Sequence, residues 1–438
     1  MPASVSRREL MKWASAGAGA AAVGGATWLV GRNDADRDSP DIAGSNGTDT
    51  HDTSPTPPPD TAPAPVSANG DLGQRLLVVV EMDGGNDGMS TLVPYGMGSY
   101  YDLRQRTAVS ETDVLQWNDA VGLHSKLANI NRRGAAVVQG VGSSAPDGSH
   151  FEMQARWWSG DPLNGRSFDT GFLGRLADAI GDPAAAAVAV SVGSGTHPAL
   201  LSNKVGTLAI PNADAIGYIV GANDDDPLRQ AFQRGYAAFG DARGGGYEEL
   251  LRAVRAQTVA FAGAIGEFDE EGDGGYPGSS LGQGLRLAAQ LLSIDLGVRI
   301  VHVPIHEDFD THDDHPGRHP YLLESLDNSL EAFFVDLEAR GLSDRVLVMT
   351  TSEFGRTAHD NASAGLDHGT ASMAMLMGPV NPGLYGEHPS LTDLDDNGDL
   401  IATMGFDQYY ASVAEGWFGV PAGDVLSGSP ELIEGLFG

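Results

Sequence analysis

Four short stretches hold most of the side chains able to do chemistry. Asp83-Gly84-Gly85-Asn86-Asp87-Gly88 sets two carboxylates in a glycine turn. Glycine lets the backbone approach a ligand closely and Asp supplies hard oxygen ligands, although an ordinary Asx turn has the same composition. Asp147-Gly148-Ser149-His150-Phe151 places a hydroxyl at the expected start of a helix over residues 151–159. A nucleophile there feels the positive end of the helix dipole; a plain capping serine is the commoner occupant of such a position. Asp308-Phe309-Asp310-Thr311-His312-Asp313-Asp314-His315 is the densest collection of metal-capable side chains. Asp310 and His312, two apart, face the same way in an extended loop. Ser352-Glu353-Phe354-Gly355-Arg356 and, beyond it, Asp367-His368-Gly369 add a carboxylate, a guanidinium and a further ligand pair. Arg356 can pair with Glu353 or hold phosphate or sulfate oxygens. Imidazole beside carboxylate suits zinc, manganese or iron better than calcium. The chain has neither a G-x-S-x-G elbow nor a Walker A sequence, so serine esterase and P-loop chemistry lose support.

The elements that must position these residues are legible as apolar runs. Residues 75–80, 135–139, 298–304 and 346–351 are runs rich in Leu, Ile, Val and Ala that end at glycine or polar residues, as strands buried on both faces do. Helical patterns alternate with them. Leu322, Leu323, Leu326, Leu330, Phe333, Phe334 and Leu337 share one face of a helix that Gly341 stops, and another helix is expected over 281–296. The alternation predicts an α/β fold: a mostly parallel central sheet flanked by helices on both faces. Ligands in such sheets sit beyond the carboxyl ends of the strands, where the polar clusters fall. Residues 199–275, less regular and holding an acidic run, read as a cap or an insertion over the site.

Composition narrows the partners. The 438 residues include no Cys, which excludes disulfides, thiolate zinc sites and cysteine nucleophiles. A formal charge of -33 argues against nucleic acid and anionic membrane surfaces. Lys12, Lys126 and Lys204 are the only lysines; high Asp with few Lys suits solubility in high salt, and a GC-rich genome produces the same bias. Ser6-Arg7-Arg8-Glu9-Leu10-Met11-Lys12 before an Ala/Gly-rich apolar stretch matches a twin-arginine export signal over residues 1–31. Its glycines make a poor membrane span, and no clear Ala-x-Ala site precedes Arg32, so membrane contact is confined to a retained signal segment. Residues 32–70, acidic and Pro-rich, cannot bury enough apolar surface to fold. They read as a linker to one domain over 71–438, in the periplasm, cell envelope or extracellular space.

Taken in order, the twin-arginine start, Gly-Gly-Asn-Asp-Gly, Ser-His-Phe, Asp-Thr-His, Ser-Glu-Phe-Gly-Arg and Asp-His-Gly resemble the domain-of-unknown-function family 1501, from about Leu76 to the C-terminus. That family is similar to the alkaline phosphatase and sulfatase superfamily. The resemblance implies a sheet flanked by helices with one or two metals at the strand ends. It makes Ser149 the nucleophile. Asp83 or Asp87, Asp310, His312, Glu353, Asp367 and His368 become ligands of a divalent metal, with zinc, manganese and calcium all open. Arg356 and His150 are left to stabilise oxygens or move a proton. The expected activity is hydrolysis of phosphate or sulfate esters of a small molecule or glycan. The alternative is a non-catalytic envelope protein on the same fold, binding glycans or partner proteins.

Overall fold

The first long apolar run pairs on both of its sides. β1 (Leu76–Met82) lies between two parallel partners: residues 300–305 on one side and 346–351 on the other. The computed structural model describes residues 74–165, 169–183, 185, 187–212, 274–294 and 296–438. The expected signal and linker, and residues 213–273 of the expected cap, lie outside the described residues.

The strands follow in chain order. They are β2 (Leu92–Val93), β3 (Val114–Gln116), β4 (Gly122–His124), β5 (Ala136–Gly142), β6 (Ala189–Val192), β7 (Thr207–Ile210), β8 (Ile300–Ile305), β9 (Val346–Thr351), β10 (Ser372–Met377), β11 (Gly383–Tyr385) and β12 (Met404–Gly405). Nine form one sheet in the order β11-β5-β10-β9-β1-β8-β6-β7, with β12 beside β5. Every pairing in it is parallel except those of β10, which runs antiparallel to both β5 and β9. β2, β4 and β3 make a small antiparallel sheet. The fold is therefore α/β with a mostly parallel sheet. Residues 207–210, at the start of the expected cap, belong to the sheet itself as its edge strand.

Side-chain alternation divides β1 between two cores. Leu76, Val78, Val80 and Met82 pack with one set of helices and Leu77 and Val79 with the other. Each buried Leu or Val contributes about 1.5–3 kcal/mol. The second layer holds α1 (His150–Ser159), α2 (Phe172–Ile180) and α5 (Phe406–Ser412), where Trp157 stacks on Phe406 and Phe172 on Tyr410. The first layer holds α3 (Ser280–Ser293) and α4 (His315–Arg340). Ser279 caps α3 by accepting from Gly282 N at 3.1 Å. All seven apolar residues of the predicted α4 face are buried, and Gly341 closes the helix at φ 68°. No helix among the described residues is long and apolar enough to cross a membrane.

Candidate metal centre

The loops that leave β1 and β8 lie directly on each other. Phe309 N donates to Asp83 O at 3.0 Å. Gly84, at φ 107°, permits this approach: a Cβ there would sit 2.5 Å from Asp310 N. The loop after β9 brings Arg356, fully buried, against both. Its Nε donates to Gly85 O at 2.8 Å, and its terminal nitrogens reach the carbonyls of Gly84, Leu366 and Phe309. One of them meets Asp310 Oδ1 at 2.6 Å. Burial works to raise the Asp310 pKa, yet the neighbouring Arg356 guanidinium holds it below the usual carboxylate range.

Imidazoles converge on this carboxylate. His312 Nε2 lies 3.0 Å and His368 Nε2 3.3 Å from Asp310 Oδ1, and the two Nε2 atoms are 2.9 Å apart. His150 Nε2 is 3.6 Å from Asp310 Oδ2. The far side of each ring meets an acceptor. His312 Nδ1 donates to Asp367 Oδ1 at 2.8 Å, His368 Nδ1 to Gly148 O at 2.7 Å, and His150 Nδ1 to Glu353 Oε1 at 2.6 Å. Protons fixed on Nδ1 leave the Nε2 lone pairs of neutral rings pointing at one another and at a carboxylate oxygen. That arrangement is repulsive unless a cation lies between them. Donor atoms about 2.0–2.1 Å from one metal, at tetrahedral to right angles, lie about 2.8–3.4 Å apart, and the His312, His368 and Asp310 edges match this spacing. Acceptors on Nδ1 are also the usual outer partners of metal-binding histidines. These residues fit a divalent ion. His150, Asp310 and His368 all offer ligand atoms within 4.8 Å of one another.

The supporting groups are equally specific. Glu353 Oε1 also accepts from Gly84 N at 3.0 Å, so one carboxylate ties the first loop to His150. Its bond raises the His150 pKa. Phe354 packs its ring against His150 and His368, at 4.8 and 4.7 Å between centroids. Asn361 Nδ2 donates to Asp367 Oδ1 at 3.1 Å.

Of the residues singled out in the sequence, His150, Asp310, His312, Glu353, Arg356, Asp367 and His368 come together here. Arg356 has no exposed surface and spends its N–H groups on carbonyls and Asp310. It positions Asp310 and is not open to a substrate's oxygens. Asp87 lies elsewhere: both its oxygens accept from Arg104 at 3.0 Å, and His315 stands 3.4 Å away. Burial opposes its ionisation, but these partners hold its pKa well below the usual range. Asp87 is thus paired with Arg104 and His315 and does not join the imidazoles around Asp310. Asp83 accepts from Gln154 Nε2 at 2.5 Å, beside a cavity rather than within the imidazole cluster. Ser149 is the N-cap residue of α1, yet its side chain caps no backbone N–H. It stands between Gly148 and His150, both of which touch the cluster.

Sequence reasoning missed a second group, Glu81, His197 and His302, whose ligand atoms also lie within 4.8 Å of one another. Glu81 and His302 interrupt strands at positions where alternation calls for apolar residues, which was the available signal.

No curated protein matches the chain. Solved structures similar to it include a sulfatase from Pseudoalteromonas sp., at 10% identity, covering 79% of this chain and 68% of that one, with a TM-score of 0.37. They also include the alkaline phosphatase of the Antarctic bacterium TAB5, at 13% identity, 71% and 95% coverage, and a TM-score of 0.32. A third is the C-terminal periplasmic domain of EcEptC from Escherichia coli in complex with Zn, at 10% identity, 78% and 82% coverage, and a TM-score of 0.34. The family model described as "Protein of unknown function (DUF1501)" matches residues 132–407, more than half of the chain and a span that holds Ser149, Asp310, Glu353 and His368, and the chain belongs to that family.

Proposed function

We propose that this protein is an exported, metal-dependent hydrolase of phosphate or sulfate esters. In this reading Asp310, His312, His368 and His150 hold a divalent ion and Ser149 is the nucleophile. The reading rests on one observation above the others: imidazole Nε2 atoms with their Nδ1 sides engaged converge on a carboxylate that a buried arginine holds ionised. Bound there, the ion would act as a Lewis acid toward the ester oxygens.

The chain's own residues then have separate tasks. Ser149 presents an uncommitted hydroxyl at the first turn of α1, where the helix dipole favours developing negative charge. Gly148 and His150, on either side of it, fix its distance from the cluster through His368 and Glu353. Arg356 keeps Asp310 ionised and in register. Phe354 shields two imidazoles from water. Export rests on the twin-arginine start of the sequence, and glycan or small-molecule esters are the substrates to screen.

The test is metal content beside turnover on a panel of phosphate and sulfate esters, using the full chain. Asp310→Ala should lose both metal and activity. Ser149→Ala should keep its metal and lose at least a hundredfold in kcat. A metal-loaded protein that turns over no ester, or a Ser149→Ala variant as active as the parent, overturns the proposal.

A further inference from the structure

We propose that Glu81, His197 and His302 form a second metal site, separate from the Asp310 centre, for a divalent transition metal that takes imidazole and carboxylate ligands. The argument begins with strand alternation. On β1, Leu77 and Val79 face the core beneath α1 and α2, and Glu81 is the next residue on that face. On β8, Ile300 faces the same core and His302 follows it. The two strands pair in parallel with Val79 opposite His302, so Glu81 and His302 are diagonal neighbours on one face. A carboxylate and an imidazole thus occupy positions that the pattern reserves for apolar side chains, and His302 is only 2% exposed. Burying such groups costs several kcal/mol unless they are partnered, in the range of about 2–7 for a polar group.

The geometry supplies a cation-sized convergence. Glu81 Oε2 lies 2.8 Å from His302 Nε2 and 3.2 Å from His197 Nε2. These lengths bracket the about 3.0 Å edge expected between ligands of one ion. The two imidazoles stack, 4.0 Å between centroids and 18° from parallel, so both Nε2 atoms face the same carboxylate. Trp158 Nε1 donates to the other carboxylate oxygen, Oε1, at 2.7 Å and leaves Oε2 for the ion. This is the outer support that orients a ligating carboxylate. Ala199 N–H points at His197 Nδ1 from 3.4 Å, longer than an ordinary hydrogen bond, so ligation through Nε2 requires His197 to give up this weak contact and hold its proton on Nδ1. His302 Nδ1 has no partner, so this ring is free to carry its proton there and present the Nε2 lone pair to an ion.

A cavity of about 250 Å³ adjoins the three residues and is also lined by Asp83 and His306. No lysine or arginine among the described residues lines it. The lining is that of a cation's pocket, with space for water or a small ligand at open coordination positions. Two imidazoles and one carboxylate select zinc, iron, cobalt, nickel or manganese over magnesium or calcium.

The experiment uses the full chain, stripped with a chelator and titrated with Co²⁺ or Zn²⁺. The parent should bind about two ions. An Asp310→Ala/His368→Ala variant, checked for folding by circular dichroism, should still bind about one, and Co²⁺ should quench tryptophan emission because Trp158 contacts Glu81. Adding Glu81→Gln should abolish that binding and that quenching. The proposal fails if the folded Asp310→Ala/His368→Ala variant binds no ion, or binds one that leaves its tryptophan emission unchanged. Neither of those outcomes depends on the Glu81→Gln chain folding. Ester turnover is read separately, so the loss of one proposal leaves the other standing.

Discussion

Asp87 and Asp310 start as equals in the sequence, each a carboxylate just beyond a buried strand. What separates them is the shape of the arginine that meets each. Arg104 engages both oxygens of Asp87, whereas Arg356 touches one oxygen of Asp310 and leaves the group facing imidazoles. In the proposed centre Asp367 stands one step further out, behind His312. Its bond to His312 Nδ1, which lowers its own pKa, fixes the tautomer that presents Nε2 to an ion. Asp367→Asn should weaken metal affinity by about 10–100-fold without removing the site, measured by competition with a chromophoric chelator. An unchanged affinity would mean that His312 is not a ligand. A different residue sets a pH limit. His124, on β4 and buried, has its pKa pushed down to about 4 by desolvation. Because the folded value is below the unfolded one, the unfolded chain takes the proton first. The neutral ring's contribution is whole above about pH 6.5 and is lost as pH falls toward 4. The shift corresponds to about 3 kcal/mol. His124→Asn should therefore flatten the fall in urea-unfolding free energy between pH 7 and 4.5 by up to that amount; parallel curves for the two proteins would refute the assignment.

Helix α1 shows what an element adds to its residues. His150, Gln154 and Trp158 recur at every fourth position, so they share one face, about 6 Å apart along the axis. Each meets a carboxylate at the strand ends: Glu353 at 2.6 Å, Asp83 at 2.5 Å and Glu81 at 2.7 Å. One helix face thus spans the Asp310 centre and the Glu81 cluster, and Gln154 is its middle link. Gln154→Leu removes the donor that Asp83 accepts from, beside a carboxyl already raised by burial, Glu353 and Glu81. It should cost about 1 kcal/mol in urea unfolding while both ends of the helix stay docked. A loss of several kcal/mol would show that the three links act as a unit. Much of this frame was readable beforehand. The apolar run 346–351 is β9 to the residue, and the seven-residue apolar face of α4 is buried as its spacing required. The juxtaposition of Asp310 and His312 was legible because the two stand together in sequence. Glu81, His197 and His302 were not, since they are isolated in sequence and meet only through sheet register. Arg104 gave no sign of its partner, because nothing local marks a pairing across 17 residues. The antiparallel β10 was missed for a related reason: strand direction is set by the connection, not by the composition of the run.

Charge belongs to the whole molecule. The chain carries 59 acidic side chains against 26 Lys and Arg, a formal -33. Asp87 and Asp310 do not supply the imbalance, because each has its own arginine. The uncompensated charge lies at positions such as Asp393, Asp395 and Asp396, and its effect is visible nearby. Asp399 is pushed up to about 6, first by burial and then by Asp395. Like charges held together in the folded state and spread apart in the unfolded one disfavour folding, and salt relieves the repulsion by shortening its range from about 10 Å at 0.1 M to about 3 Å at 1 M. The urea midpoint should therefore rise with NaCl, most steeply below about 0.5 M, where the screening length is still contracting. Sucrose, which strengthens burial without screening, should not reproduce that early rise. A steep early rise would mean that the acid excess has made folding depend on a saline surrounding. It would also let anionic molecules approach the Asp310 cluster of a strongly acidic protein. A flat profile would mean that the acids are spaced widely enough to cost nothing, and the excess would then be a bias of composition with no energetic consequence.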